Sequence, residues 1–444
     1  MAYRTFETAA LSRRALFRGG VSMGAGALAA TQFASAAFAQ GGNAAGTWPT
    51  VSALVDRYVG ERKVANMLAM MGFGQQPADV VAKGTLAIGQ DAKVDTDTLY
   101  RIYSMTKPVT GMATMMLVDD GTIGLDQPLH EILPAFRNMR VQATPDGNLT
   151  DTVPAQRPIT IRHLLTHTAG LGYAIVQQGP IREAYNRAGL SPGKISRLPL
   201  PGIGRAKPAE SLEVFADRLA EQPLVYQPGT RWSYSVSIDL LGRVIEVATG
   251  TAFDTFLSKR LFEPAGMTST YFQVPGAQIA RLTTNYGVLG GTLIPIDPAR
   301  SSVFLDEPEF PFGGAGLVSS PADYDRFLRM LLGRGEVDGT RVMSEAAVTL
   351  GTSNLLPEGV STDNIAFGLG NGFGAGGVVG LGENEGAYGW GGAAGTVGLV
   401  QMKLGLRAGM YTQYVPSTSY GAQNEFRRAV AKDAMALAAM RGAA

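Results

Sequence analysis

The order of secondary-structure patterns along the chain is the feature that most constrains its fold. Helical spacing over 51–62 is followed by short strand patterns at 80–82, 85–88 and 99–103. From about 125 to 300 the patterns are short helices separated by Pro/Gly-rich connections. After 360 the chain is glycine-rich and β-like, and a last amphipathic helix is predicted from about Asn424 to Ala438. We therefore predict a sheet built from both chain ends, with a mainly helical region inserted between them.

The predicted domain plan follows these patterns. Residues 1–39 are interpreted as a twin-arginine signal peptide, because Arg13-Arg14 precede a Gly/Ala-rich run and a small-residue cleavage pattern at Ala37-Phe38-Ala39. The alternative is a disordered tail. Export by this signal predicts a periplasmic or secreted protein. The remaining boundaries are a linker at 40–50, a sheet domain from 51–125 and 305–440, and an inserted helical domain at 126–304.

Composition excludes several classes of function. The 444 residues carry 38 basic and 37 acidic side chains, so no net field attracts nucleic acid or an anionic membrane. No later apolar run is long enough to span a bilayer. The absence of cysteine removes disulfides, thiolate nucleophiles and cysteine-ligated metals. We expect no metal and no organic cofactor, and the sequence does not indicate an oligomeric state.

Three motif matches are interpreted as coincidental. The G-x-S-x-G run at 20–24 lies in the predicted signal segment. The G-x-G-x-x-G run at 372–377 has no helical pattern after it, which argues against a nucleotide site. His163 and His167 are spaced four apart on a predicted helix over 160–168. A zinc protease would need glutamate where Leu164 stands, so structural hydrogen bonds are the better interpretation.

Ser104-Met105-Thr106-Lys107 is the candidate catalytic motif, because it lies where a strand pattern changes to a helical one. Residues i and i+3 of a helix share a face, so the Ser104 hydroxyl and the Lys107 amine should meet. The helix N-terminus stabilises negative charge on the serine oxygen, and together with burial it favours a neutral, basic lysine. The second S-x-x-K match, at 191–194, contains Pro-Gly, which would break the helix that this geometry needs.

Several motifs in order resemble the serine β-lactamase-like superfamily, above all the family VIII carboxylesterases and their class C β-lactamase relatives. The resemblance covers roughly residues 50–440 and rests on the segments 104–110, 159–171, 232–237, 313–320 and 389–396. It implies an α+β fold (an α/β sandwich) with an antiparallel sheet flanked by helices.

The resemblance also implies the roles of individual residues. Ser104 would be the nucleophile, and Lys107 and Tyr234 would move its proton; which of the two is the primary base stays open. A nearby ammonium would stabilise the phenolate of Tyr234. The backbone N–H groups of Ser104 and Ala393 would form the oxyanion hole. The predicted substrate-binding residues are Trp390, Gly391, Gly392 and Val236, the small ones allowing substrate to approach the backbone closely.

Two departures from the family pattern bear on the substrate. Val236 replaces an asparagine that can bond the lysine and an amide substrate, and Trp390 replaces a lysine that binds a substrate carboxylate. The lost charge contact is worth ~1.5–3 kcal/mol. We therefore expect a serine hydrolase that cleaves small uncharged carboxylic esters through an acyl-enzyme. The alternatives are a β-lactamase, a D-amino-acid peptidase or amidase, or a non-catalytic binding protein.

Overall fold

The structure is a computed structural model that describes residues 44–191, 193–198, 207–363, 365 and 371–442. The predicted signal peptide at 1–39 lies outside these residues. No helix among the residues described is both long enough and apolar enough to cross a membrane.

The central feature is one antiparallel sheet of seven strands drawn from both ends of the chain. The strands are β1 (Asn66–Phe73), β2 (Asp79–Gly84), β3 (Asn371–Phe373), β4 (Val378–Gly380), β5 (Ala387–Gly391), β6 (Val397–Gln401) and β7 (Leu406–Tyr411). Their spatial order is β3-β4-β5-β6-β7-β1-β2, and every neighbouring pair is antiparallel. Leu68 of β1 pairs with Tyr411 of β7, which joins the two ends of the chain inside the sheet, with only β2 beyond β1. The predicted fold class is confirmed.

Helices cover both faces of this sheet, because the central strands are apolar on both sides. Successive residues of β1 alternate between two cores: Leu68 and Met70 belong to the larger one, Met67 and Ala69 to the smaller one. The smaller core is closed by helices α1 (Pro49–Gly60) and α5 (Ala422–Gly442). The larger core takes in α2 (Thr106–Asp119), α3 (Ser237–Thr249) and α4 (Pro321–Leu332).

The region between the two halves of the sheet is mainly helical, with small sheets at its margins. Its remaining α-helices are Ile161–Leu165, Gly179–Arg187, Leu212–Ala220, Phe253–Leu257, Glu263–Ala265 and Glu345–Gly351. The short helix Ala44–Thr47 lies before α1. The small sheets comprise Tyr100–Arg101 with Val318–Ser319 and Thr270–Tyr271; Arg140–Gln142 with Thr152–Pro154; Asn285–Leu289 with Thr292–Asp297 and Tyr414–Val415; and Glu336–Val337 with Thr340–Arg341.

Local sequence signals explain where some of the helices begin. Ser320 caps α4, because its hydroxyl accepts the N–H of Asp323 at 3.1 Å and Pro321 occupies the first turn. Ser211 caps Leu212–Ala220 in the same way, accepting the N–H of Val214. The division of the chain into domains remains a prediction.

The structure differs from the sequence predictions at four places. The predicted linker 40–50 includes the helix Ala44–Thr47 and the first residues of α1, which begins at Pro49, and Trp48 is fully buried in the smaller core. Residues 85–88 form no strand, only a single bridge at Thr85. Strand 99–103 is reduced to Tyr100–Arg101, outside the main sheet. The helix predicted at 160–168 ends at Leu165, since His167 adopts a left-handed backbone with φ of 54°.

Candidate active site

Ser104 lies in the turn that leads into α2. A short 3-10 turn spans Tyr103–Met105, and α2 begins at Thr106. Tyr103 holds a left-handed φ of 42°, a strained conformation for an aromatic residue. Its hydroxyl accepts a hydrogen bond from the amide of Asn285 and its ring packs on Phe304, contacts that hold the turn in place. The turn leaves the side chain of Ser104 partly exposed.

Lys107 is buried beneath Ser104, on the first turn of α2. Its Nζ lies 3.3 Å from Ser104 Oγ and donates a second hydrogen bond to the Gly314 carbonyl at 2.6 Å. The side chain has no exposed surface. The amine is therefore directed at the serine hydroxyl and shielded from water, as a proton acceptor needs to be.

Tyr234 reaches the same hydroxyl from the segment that precedes α3. Its phenol donates a hydrogen bond to Ser104 Oγ at 2.8 Å. The Lys107 Nζ lies over the Tyr234 ring, 4.7 Å from its centroid. Ser104, Lys107 and Tyr234 thus converge on one oxygen atom.

His167 supports Tyr234 from behind, although it touches neither Ser104 nor Lys107 by hydrogen bond. Its ring lies 4.9 Å from the Tyr234 ring, and its Nδ1 accepts the backbone N–H of Ser235 at 3.2 Å. Burial, with a smaller effect from Lys107, holds the pKa of His167 well below its usual value. A neutral imidazole fixed to the residue after Tyr234 orients the phenol, and this matches the structural role expected of the histidine.

The end of β5 lies against the serine turn and carries the second predicted oxyanion donor. Beyond Gly391 the chain turns, and an added Cβ on Gly392 would stand 2.4 Å from the Ile102 carbonyl oxygen. Ala393 follows and is exposed. In the part of the chain that the structure describes, the N–H groups of Ser104 and Ala393 donate to no acceptor. Both amides are therefore available to a reacting carbonyl oxygen.

The two glycines allow close packing at the end of β5. The space that a side chain on Gly392 would fill is occupied by Ile102 and Thr396, and the space beside Gly391 by the amide of Gln423. Their small size lets β5 sit directly on the turn that carries Ser104. The prediction that these residues let substrate approach the backbone closely stays a prediction.

Trp390 belongs to an aromatic wall beside Tyr234, which we define as Trp232, Phe373 and Trp390. The ring of Trp390 lies 5.7 Å from that of Tyr234 and 5.4 Å from that of Phe373; Trp232 lies 5.6 Å from Phe373. Val236, in contrast, is fully buried in the larger core. Its side chain cannot line an open substrate cleft, because the chain enters α3 at this residue and turns it inward.

Sequence reasoning missed Asp239, which is fully buried near Lys107. It stands in the first turn of α3, and its Oδ1 accepts the N–H of Gly314 at 2.8 Å. The available signal was an acid in an apolar stretch, five residues after Tyr234.

The coincidental motifs have structural explanations. The glycine-rich run 372–377 packs on α2: a Cβ on Gly376 would meet the Lys107 carbonyl oxygen at 2.3 Å. His163 forms a capping box with Thr160, accepting its N–H at 3.1 Å while the Thr160 hydroxyl accepts the N–H of His163.

Comparison with solved structures defines the class of fold. EstCE1, described as a hydrolase with promiscuous acyltransferase activity, superposes with a TM-score of 0.70 over 87% of this chain and 99% of its own, at 24% identity. This likeness places the chain among proteins of β-lactamase/transpeptidase-like fold. The chain belongs to the beta-lactamase family, whose profile matches residues 51–432.

Relatives with similar sequences include an esterase. An uncharacterised protein of Mycobacterium tuberculosis is 38% identical over 285 residues, which are 63% of this chain and 65% of that protein. The matched part of this chain therefore spans slightly less than two thirds of that relative's length. Esterase EstB of Burkholderia gladioli is 28% identical over 296 residues, 63% of this chain and 69% of EstB.

Proposed function

We propose that this protein hydrolyses carboxylic esters through an acyl-enzyme formed on Ser104. The observation that carries the proposal is that Ser104 Oγ accepts hydrogen bonds from both Lys107 Nζ and Tyr234 OH, at 3.3 and 2.8 Å. Two proton-transfer groups on one partly exposed hydroxyl form an activated nucleophile with a route for returning its proton.

The reaction follows from these contacts. Ser104 Oγ attacks the ester carbonyl carbon as its proton passes to Tyr234 or Lys107, and the N–H groups of Ser104 and Ala393 stabilise the oxyanion. Collapse breaks the bond to the alcohol oxygen, which takes the proton back and leaves. Water then attacks the acyl-serine with the same pair as base, releasing the carboxylic acid and restoring the hydroxyl.

The aromatic wall favours uncharged substrates. Trp390 is 95% buried beside Tyr234, at the position where the resembling β-lactamases carry a lysine. A carboxylate bound there would lack a cationic partner and would lose its hydration. The relative EstB is named an esterase, which supports the same assignment. The partner is then a small neutral ester.

Steady-state kinetics test the proposal with three classes of substrate. Nitrophenyl esters of increasing acyl length should be turned over, and a chromogenic cephalosporin and a D-Ala-D-Ala peptide should react more slowly. Ser104→Ala should abolish ester turnover, and Tyr234→Phe should lower kcat about 10²–10⁴-fold. Tyr271→Phe is the matched control, because among the residues described the Tyr271 hydroxyl hydrogen-bonds only the Thr268 carbonyl, at the surface. Ester turnover that survives Ser104→Ala would refute the proposal, and faster cephalosporin cleavage would favour a β-lactamase.

We also propose export through the twin-arginine route. A fusion of residues 1–50 to a reporter that is active only outside the cytoplasm should lose its signal when Arg13 and Arg14 are both replaced by lysine. Unchanged export of the lysine variant would refute this route.

A further inference from the structure

Asp239 is a buried carboxylate that the proposed mechanism does not use. Its side chain has no exposed surface. Oδ1 accepts the Gly314 N–H at 2.8 Å, whereas Oδ2 has no hydrogen-bond partner among the residues described. Burying such a group is costly unless a nearby charge or a functional role compensates.

Gly314 connects this carboxylate to the Lys107 amine. The N–H of Gly314 donates to Asp239, and its carbonyl oxygen accepts from Lys107 Nζ at 2.6 Å. A Cβ on Gly314 would stand 2.5 Å from Asp239 Oδ2, so the carboxylate lies directly on this glycine. One residue therefore holds the amine on one side and the carboxylate on the other.

Lys107 is the charged group whose field acts on Asp239. Burial raises the pKa of Asp239 to about 6, and Lys107 opposes that rise. The other charged or titratable groups on α3 and on the elements packed against it are engaged elsewhere or exposed. Arg162 pairs with Asp126, Arg243 with Glu213 and Glu246, and Arg218 with Glu210; His163 bonds Thr160, and Asp119, Asp120, Asp217 and Asp254 are exposed.

We propose that Asp239 is a positioning residue for Lys107: it fixes the amine through Gly314, and its negative charge favours the ammonium form of Lys107, which is the form present once the Ser104 proton has reached it. In that step the Ser104 O–H bond breaks and an N–H bond forms on Lys107, directly or through Tyr234. The inference rests on the proposed function, because it assigns Asp239 a part in the same proton transfer. The negative charge that balances the Lys107 ammonium therefore comes from the enzyme itself and not from the substrate.

Asp239→Asn separates charge from geometry. The asparagine oxygen can still accept the Gly314 N–H, but the negative charge is gone. We expect kcat for nitrophenyl esters to fall at least tenfold with KM unchanged. In the wild type, kcat should decline below about pH 6 as Asp239 is protonated, and the variant should lack this decline. Asp217→Asn, which removes an exposed acid, should match the wild type in both respects.

Gly314→Ala is a second variant that keeps the charge but displaces it. Its Cβ would force the carboxylate away from the peptide, and we expect a comparable loss of kcat. Wild-type kcat and an unchanged pH profile in Asp239→Asn would overturn the inference. A purely structural role would lower the melting temperature and leave that profile intact, which also contradicts it.

Infrared spectroscopy tests the coupling without any substrate. The carboxyl band lost in Asp239→Asn identifies the protonated Asp239, and its intensity can be followed against pH. In Lys107→Met this titration should move upward by at least one pH unit, because the charge that favours the carboxylate is removed. An unmoved titration would refute the coupling even in an active esterase. An inactive wild type would refute the proposed function, while the shift would still be measurable.

Discussion

Replacing Gly392 by alanine should displace the end of β5 from the serine turn. The new Cβ would stand 2.4 Å from the Ile102 carbonyl oxygen and 2.2 Å from Thr396 Oγ1. Non-bonded carbon and oxygen atoms need about 3.4 Å, so the two backbones must separate by about 1 Å. The segment has little freedom to absorb this, because the Gly392 N–H donates to the Thr396 carbonyl and its own carbonyl accepts from Gln423.

The displacement should appear in kcat rather than in KM. It moves the Ala393 N–H relative to the Ser104 N–H, and a misplacement of about 1 Å costs on the order of 100-fold in rate. The assay is steady-state hydrolysis of a nitrophenyl ester, with folding checked by thermal unfolding. Gly276→Ala is the control, since nothing lies within 4 Å of the Cβ position there. A Gly392→Ala enzyme within threefold of the wild-type kcat would refute the oxyanion assignment of this segment.

Three further predictions concern stability. Burial, aided by Arg157, lowers the pKa of His163 to about 4, against 6.5 in the unfolded chain, so stability should fall as pH drops from 6.5 to 4. His163→Asn should show a shallower fall in melting temperature over that pH window, and a melting temperature that falls as steeply as in the wild type would contradict this. Asp297→Ala leaves Arg101 buried without its ion pair and should lower the free energy of unfolding in urea by about 3–5 kcal/mol. Asp306→Ala, which removes the exposed partner of Arg197, should lower it by less than about 1 kcal/mol, and equal losses in the two variants would refute this difference. Gly376→Ala should destabilise the protein more than Gly382→Ala. Both glycines have a positive φ, but only the Cβ added at Gly376 would meet backbone atoms, and calorimetry showing similar losses of stability in the two variants would be inconsistent with that contact.

Helices α1 and α5 lie close to the bounds predicted from the sequence, whereas the central strands were predicted less well. Ser320 and Ser211 mark helix starts by local hydrogen bonds that need no tertiary context. Strand β1 was missed, because it is buried on both faces and shows no alternation of apolar and polar residues. Residues 85–88 have strand-like composition but no neighbouring strand beyond one bridge.

The candidate site was predictable where spacing determines contact, and less so where distant segments meet. Ser104 and Lys107 are three apart on a helical path, so their contact follows from local geometry. Tyr234 came from the resemblance, since no local rule brings it to Ser104. Asp239 and Gly314 meet only through the packing of α3 against the loop before α4, and Val236 turns into the core at the start of α3. None of these can be read from neighbouring residues.

The pairing of β1 with β7 has a consequence for how the protein is made. During synthesis Ser104 leaves the ribosome long before Gly392, and β1 has no β7 to join until Leu406–Tyr411 has emerged. Contacts between segments so far apart form slowly, since a long loop must close first. A nascent chain therefore cannot complete this sheet, or hold Ala393 against the serine turn within it, before Leu406–Tyr411 has been synthesised.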